Sequence, residues 1–222
     1  MRSGQSEQNI VAVLWDLDGT LVQTEGLHAE VDREVLGSYG FDVGHEELLA
    51  YTGMTSRDQL AGTLGARGAG HLLEEAYAKK LALMAERIVS RALPTRGIEG
   101  VLRDVPMRTH RFALVTSTER EIALALLERF GWSFRFEVVV GAEDVPRTKP
   151  APDPYLRACE LLGVAPAQAL VVEDAPAGIR AGKAAGCRVA ALCTTFGPAE
   201  LGGADFVLSN PGAVIGLLGV LG

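Results

Sequence analysis

Six residues of this chain have side chains that could do chemistry together: Asp16, Asp18, Thr116, Lys149, Glu173 and Asp174. Four carboxylates brought into one place would repel strongly, and burial would add to the cost. A hard divalent cation among the oxygens makes such a cluster tolerable. A few carboxylates with room for water suit Mg²⁺ better than a closed calcium cage. No EF-hand loop is present, and no His/Cys set has zinc spacing. The alternation Asp16-x-Asp18 is the informative detail. Just past a strand, successive side chains diverge, so one carboxylate can attack as a nucleophile while the other serves as general acid and then general base. Gly19 allows the chain to turn sharply there. Lys149 would supply positive charge and Thr116 a hydroxyl, as a phosphoryl transition state requires. Backbone N–H groups after Asp16 and near Ser117 would complete the cradle. A P-loop is absent, because Gly182-Lys183 is followed by Ala184 and lacks the leading glycine.

These residues form one site only if the fold gathers them. Short apolar runs at residues 10–15, 111–115, 136–140, 169–172, 188–192 and 206–208 predict strands buried on both faces, as in a parallel sheet. Helical patterns lie between them. Ile122, Leu126, Leu127 and Phe130 share one face, behind a capping box read at Thr118 to Glu121. Asp153-Pro154 reads as an N-cap and first-turn proline. The alternation predicts an α/β fold with a doubly wound, Rossmann-like parallel sheet. Residues 25–93 break the pattern: they hold no clear strand and several helical segments, with a second capping box at Ser56 to Gln59 and a long run at 72–89. The predicted organisation is a core of residues 1–24 and 94–222 with an all-α insertion of residues 25–93, returned through the linker 93–97; residues 65–70 read as a helix–helix turn. In such sheets, sites form beyond the carboxyl ends of the strands. The six residues follow four predicted strands in turn.

Bulk composition narrows the partners. The chain has 222 residues, 48% hydrophobic and 22% charged, an ordinary globular balance. Its net charge of −7 disfavours nucleic acid. No apolar run approaches the ~18 residues that span a bilayer. Residues 1–9 read as a polar tail rather than a signal peptide. Cys159, Cys187 and Cys193, odd in number and without CxxC spacing, read as small buried hydrophobes in a reducing cytosol, which places the chain in the cytoplasm. His45, His71 and His110 read as surface residues, and Trp15 as core.

The motifs Asp16-Leu-Asp-Gly-Thr-Leu21 with Thr24-Glu25, Leu114-Val-Thr116, Lys149-Pro-Ala-Pro-Asp-Pro-Tyr155 and Val172-Glu-Asp174 together resemble those of the haloacid dehalogenase superfamily. The resemblance points to the branch with β-phosphoglucomutase and phosphoglycolate phosphatase, and covers nearly the whole chain. It implies Asp16 as nucleophile and Mg²⁺ ligand, and Asp18 as acid/base whose main-chain carbonyl also binds the metal. Asp174 would be a further ligand with Glu173 beside it; Thr116, Ser117 and Lys149 would hold the phosphate. The insertion is similar to that family's cap, which implies Gly53, Arg57 and His28 as substrate-facing residues. Gln23 and Ala175 depart from the family pattern, where Asp and Ser are usual.

The implied activity is hydrolysis of a small phosphate monoester (a sugar phosphate, glycerol phosphate or phosphoglycolate) through an aspartyl-phosphate on Asp16. The chain would act as a monomer or weak dimer. A β-phosphoglucomutase-like phosphomutase is the alternative with the same nucleophile, although Thr20-Leu-Val-Gln looks more phosphatase-like. Asp18 argues against dehalogenation or phosphonate cleavage, since enzymes with those activities generally lack it.

Overall fold

The computed structural model describes residues 9–106 and 110–222; eight of the nine residues read as a polar tail therefore lie outside the described residues. Six strands form one parallel sheet: β1 (Ala12–Trp15), β4 (Arg111–Val115), β5 (Val138–Val140), β6 (Ala169–Glu173), β7 (Arg188–Leu192) and β8 (Phe206–Leu208). Their order is β5-β4-β1-β6-β7-β8. β1 pairs with β4 on one side and β6 on the other, so the order reverses beside it. That reversal opens a crevice at the carboxyl ends of β1, β4 and β6.

Alternate residues of each strand face opposite layers, which is why the strands read as continuous apolar runs. Leu14, Val115 and Val171 join Tyr155, Ala158 and Ile179 from α7 (Asp153–Leu162) and α8 (Pro176–Ala184). Trp15, Leu114 and Val172 face α5 (Ile98–Asp104), α6 (Arg120–Arg129) and α9 (Ala213–Leu221). Trp15 meets the edge of Phe112 at 5.7 Å between ring centroids, as aromatic pairs prefer. Each fully buried large apolar side chain contributes roughly 1.5–3 kcal/mol.

Between β1 and β4 the chain leaves the sheet. It passes through β2 (Val22–Gln23), then α1 (Glu25–Gly37), α2 (His45–Leu49), α3 (Ser56–Gly65) and α4 (Leu73–Arg91), and returns as β3 (Leu93–Pro94). The segment read as a linker at 93–97 therefore begins as a strand: β2 and β3 pair antiparallel, Val22 opposite Pro94 and Gln23 opposite Leu93. The Gln23 amide donates to the Thr95 hydroxyl at 2.9 Å, binding the outgoing and returning strands together.

Local details correct the sequence reading in five places. The capping box at Thr118 to Glu121 does not form; Glu119 precedes α6, the Thr118 hydroxyl is used elsewhere, and the N–H of Arg120, the first helical residue, donates to Glu143. The box read at Ser56 starts one residue earlier, with Thr55 accepting from the Asp58 N–H. Asp153 is the first helical residue rather than the N-cap, and binds Arg147. β5 is shorter than residues 136–140 suggested. His110 is buried at the start of β4 rather than on the surface, whereas His45 and His71 are exposed.

Candidate functional site

Lys149 is the centre of the floor. It is 2% exposed, on the loop between β5 and α7, and its Nζ donates to Asp16 Oδ1 at 2.6 Å, Glu173 Oε1 at 2.7 Å and the Val115 carbonyl at 2.9 Å. Three partners suit three ammonium hydrogens. Burial alone would lower the Lys149 value, but the charges of Asp16 and Glu173 outweigh it and raise the value above the ordinary lysine range. The ammonium therefore stays charged. Glu173 ends β6 and is satisfied on both oxygens. Its Oε1 also accepts from the Tyr155 hydroxyl at 2.8 Å, and its Oε2 accepts from the N–H groups of Asp174 and Ala175.

Asp18 lies beyond β1 and is held by four donors. Thr24 and His28 reach its Oδ1 at 2.6 and 3.2 Å; Thr118 and Thr116 reach its Oδ2 at 2.6 and 3.3 Å. Burial pushes the Asp18 carboxyl up, but the His28 bond and charge, aided by Thr118 and Thr24, bring it well below the usual carboxylate range. Asp18 is thus ionised, and His28 Nε2 carries the hydrogen between them. For His28, burial lowers the value, and the bond and charge of Asp18 raise it above the ordinary 6.5.

Asp16 and Asp174 behave oppositely. Burial first, then Glu173, pushes the Asp16 carboxyl well above its usual value, with Lys149 opposing. Burial, then the charges of Asp16 and Glu173, does the same for Asp174. Asp174 Oδ1 accepts from the Thr20 hydroxyl at 3.2 Å, while its Oδ2 is buried and makes no well-aligned hydrogen bond, the nearby Thr195 hydroxyl offsetting burial only in part. Such an orphan oxygen is costly unless a cation meets it. One oxygen each from Asp16, Glu173 and Asp174 lie within 4.8 Å of one another, a hard, all-oxygen donor set that fits Mg²⁺. Gly19 keeps this corner clear. It has φ +78°, and a Cβ there would come within 1.9 Å of Asp174 Oδ2 and 2.5 Å of Thr195 Oγ1.

The helical insertion roofs this floor and leaves a cavity of about 110 Å³. Gly53 sits against Ala175, its added Cβ only 3.2 Å from the alanine Cβ, and its carbonyl accepts from the Ser117 hydroxyl at 2.9 Å. Ser117 therefore joins floor and roof. Asp16, Asp18, Ser117, Glu173, Asp174, Gly53 and His28 line one cavity, with Lys149 bonded to its floor and Thr116 bonded to Asp18. Arg57 is not among them. It is exposed, pairs with Glu74 and stacks near Tyr77, on a separate groove with Arg147 and Thr148.

Several residues here were given no part in the site by sequence: Thr20, Thr24, Tyr155, Thr195, Thr118 and Gln59 (both read only as parts of capping boxes) and, in the roof, Glu25, Asp32 and Lys80. Lys80 and Asp32 did leave a signal. Lys80 interrupts the buried stripe Ala76, Met84, Ile88 of α4, and Asp32 sits among Val31, Val35 and Leu36 of α1. A charge in an apolar stripe implies a buried partner.

Comparison with known proteins follows the same lines. The model of the haloacid dehalogenase-like hydrolase family matches residues 13–192. A validoxylamine A 7′-phosphate phosphatase of Streptomyces hygroscopicus subsp. limoneus is 34% identical over 197 residues, covering 89% of this chain and 92% of the relative. A fructose-1-phosphate phosphatase of Escherichia coli (strain K12) is 31% identical over 179 residues, covering 81% and 94%. Among solved structures, β-phosphoglucomutase from Clostridium difficile aligns with a TM-score of 0.85 over 95% of this chain and 98% of its own, at 20% identity, a likeness of fold alone.

Proposed function

This chain belongs to the haloacid dehalogenase-like hydrolase family, and from that premise we propose that it is a magnesium-dependent phosphatase of small phosphate monoesters with Asp16 as covalent nucleophile. The observation that carries the reading is the buried floor: Asp16 against Lys149, Asp18 two residues on, and a buried Asp174 oxygen that no well-aligned donor satisfies. Asp16 and Asp174, with Glu173 beside them, would hold Mg²⁺, which when bound supplies positive charge against the phosphoryl oxygens and relieves the repulsion among the carboxylates.

In the first half-reaction an Asp16 oxygen bonds to phosphorus, the ester P–O bond breaks, and the leaving oxygen takes a proton delivered through Asp18. At rest Asp18 is ionised, so that proton is drawn from its partner His28, whose value is raised. In the second half-reaction Asp18 removes a proton from water. The water oxygen attacks phosphorus, the bond to Asp16 breaks, and inorganic phosphate leaves. Lys149 and the N–H groups past β1 and β4 stabilise the phosphoryl oxygens as charge spreads over them. Helices α1–α4 act as the cap, with residues 25–93 as its extent, shielding the aspartyl-phosphate from all but the productive water.

The test is phosphate release from sugar phosphates, glycerol phosphates and phosphoglycolate, with Mg²⁺ or with chelator, in the wild type and in Asp16→Asn. Metal-dependent release that the amide abolishes is the expected result, because an amide neither attacks phosphorus nor binds Mg²⁺ well. Release that persists in Asp16→Asn would remove Asp16 from the nucleophile role. A magnesium-binding protein that isomerises sugar phosphates without releasing phosphate would instead be a mutase.

A further inference from the structure

The roof of the cavity has a chemistry of its own. Among the described residues, no lysine or arginine lines it. The nearest roof cation, the Lys80 ammonium, is fully buried and already committed, 2.6 Å from Asp32 Oδ1 and 2.7 Å from Gln59 Oε1. Gln59 closes the triangle by donating to Asp32 Oδ2 at 2.7 Å. Arg57, the other candidate cation, is turned away to Glu74. Two histidines do line the cavity: His28, which is bound to Asp18, and His45, which is exposed at the start of α2.

What the roof does present is hydrogen-bonding oxygen and amide groups together with apolar surface. Glu25, Asp32 and Gln59 face the cavity from α1 and α3, with Thr52 donating to Glu25 at 3.5 Å. Leu48, Leu49 and Met54 line it from α2 and the following loop. Carboxylates and an amide receive hydroxyl hydrogens well, and the apolar residues suit the C–H faces of a carbon skeleton. A second anion at the far end of the substrate would meet Glu25 and a neutralised Asp32–Lys80 pair, with no lysine or arginine free to match it.

Resting on the phosphatase reading above, we propose that this site selects phosphate monoesters of neutral, hydroxyl-rich molecules, and rejects esters whose far end carries a carboxylate or a second phosphate. Asp32 and Gln59 are the specificity-determining pair, and Lys80 is a positioning residue that fixes both. Selection by mismatch is sufficient here: an anion stripped of water beside unpaired acid is disfavoured even if every hydroxyl contact is kept.

The experiment compares substrates differing only at one carbon: glucitol 6-phosphate against 6-phosphogluconate, and 2-hydroxyethyl phosphate against 2-phosphoglycolate, each as kcat/KM near neutral pH. p-Nitrophenyl phosphate serves as a generic ester. The alcohol member of each pair should be preferred by about tenfold or more, chiefly through KM. Equal use of both members, or preference for the carboxylate, would overturn the selectivity while leaving the phosphatase reading standing. Failure to hydrolyse any of the five esters would remove the phosphatase reading and this inference with it. Asp32→Asn provides a second measurement, because it leaves the Lys80 charge uncompensated under the cavity. The alcohol-to-carboxylate preference should then fall by about fivefold or more; an unchanged ratio in the folded variant would show that Asp32 does not set the selectivity. The wild-type pairs decide the matter even if the variant fails to fold.

Discussion

At the scale of single residues, the site depends on what is missing as much as on what is present. Gly19 has neither room nor conformation for a side chain, since its φ is +78° and a Cβ would collide with Asp174 Oδ2. Gly19→Ala should displace Asp174 and weaken Mg²⁺ binding by about tenfold or more, the scale seen when the support of a ligand is disturbed. Calorimetric titration with Mg²⁺ measures it, and an unchanged affinity would contradict the role given to this corner. His28 makes a prediction about pH. Its folded value lies above the ordinary 6.5, so the stability gained from Asp18 is present below 6.5 and lost as pH rises through the folded value. The gap in urea midpoint between wild type and His28→Ala should therefore be wider at about pH 6 than at about pH 9. A gap that widened toward alkaline pH would contradict the ion pair.

At the scale of elements, α1, α3 and α4 are tied by the buried Asp32–Lys80–Gln59 triangle. Lys80→Met removes one member and leaves the Asp32 carboxylate in an apolar seam, which should cost about 3 kcal/mol. Urea denaturation of Lys80→Met would show it, and a loss below about 1 kcal/mol would mean that water or another group already satisfies Asp32. This triangle also marks where sequence reading stopped. Asp16, Asp18, Lys149 and Asp174 were legible because each follows a buried apolar run, and strand ends in a doubly wound sheet must converge. Asp32, Gln59 and Lys80 come from three helices whose mutual rotation no periodicity fixes. Only the charges inside two apolar stripes hinted that partners existed. Thr118 shows a different limit. Its spacing to Glu121 fits a capping box as well as it fits anything, and the Asp18 oxygen that takes its hydroxyl lies a hundred residues away in sequence. Arg57 failed to reach the cavity for a related reason: Thr55 rather than Ser56 caps α3, and Arg57 lies exposed on the helix, paired with Glu74.

At the scale of the whole molecule, the insertion meets the core in the cavity and along the neighbouring groove. Ser117 reaches Gly53, Tyr77 donates to Glu119 at 2.8 Å, and Thr148 contacts Asp58 at 3.4 Å. Burial and the Glu119 charge raise the Tyr77 hydroxyl well above its usual value, so it remains a donor at every physiological pH. Tyr77→Phe deletes that contact and leaves the half-buried Glu119 carboxylate without the Tyr77 hydroxyl. Amide exchange across residues 50–58 should accelerate by severalfold as the roof opens more often. Unaltered exchange in that segment would indicate that the other two contacts suffice. The overall charge of −7 adds a constraint on the same scale, since an anionic substrate approaches an acidic protein and relies on the local charge of the site for capture.

The paired strands Val22–Gln23 and Leu93–Pro94 have a consequence for descent. The chain departs from the sheet and comes back at hydrogen-bonded neighbours, so whatever lies between them closes a loop whose ends are already side by side. The residues between them, 24–92, can lengthen, shorten or be replaced by an unrelated lid, and the floor of the cavity will still close on the same two strands. A lineage built on this stalk can change its diet by exchanging the lid while inheriting its reaction intact.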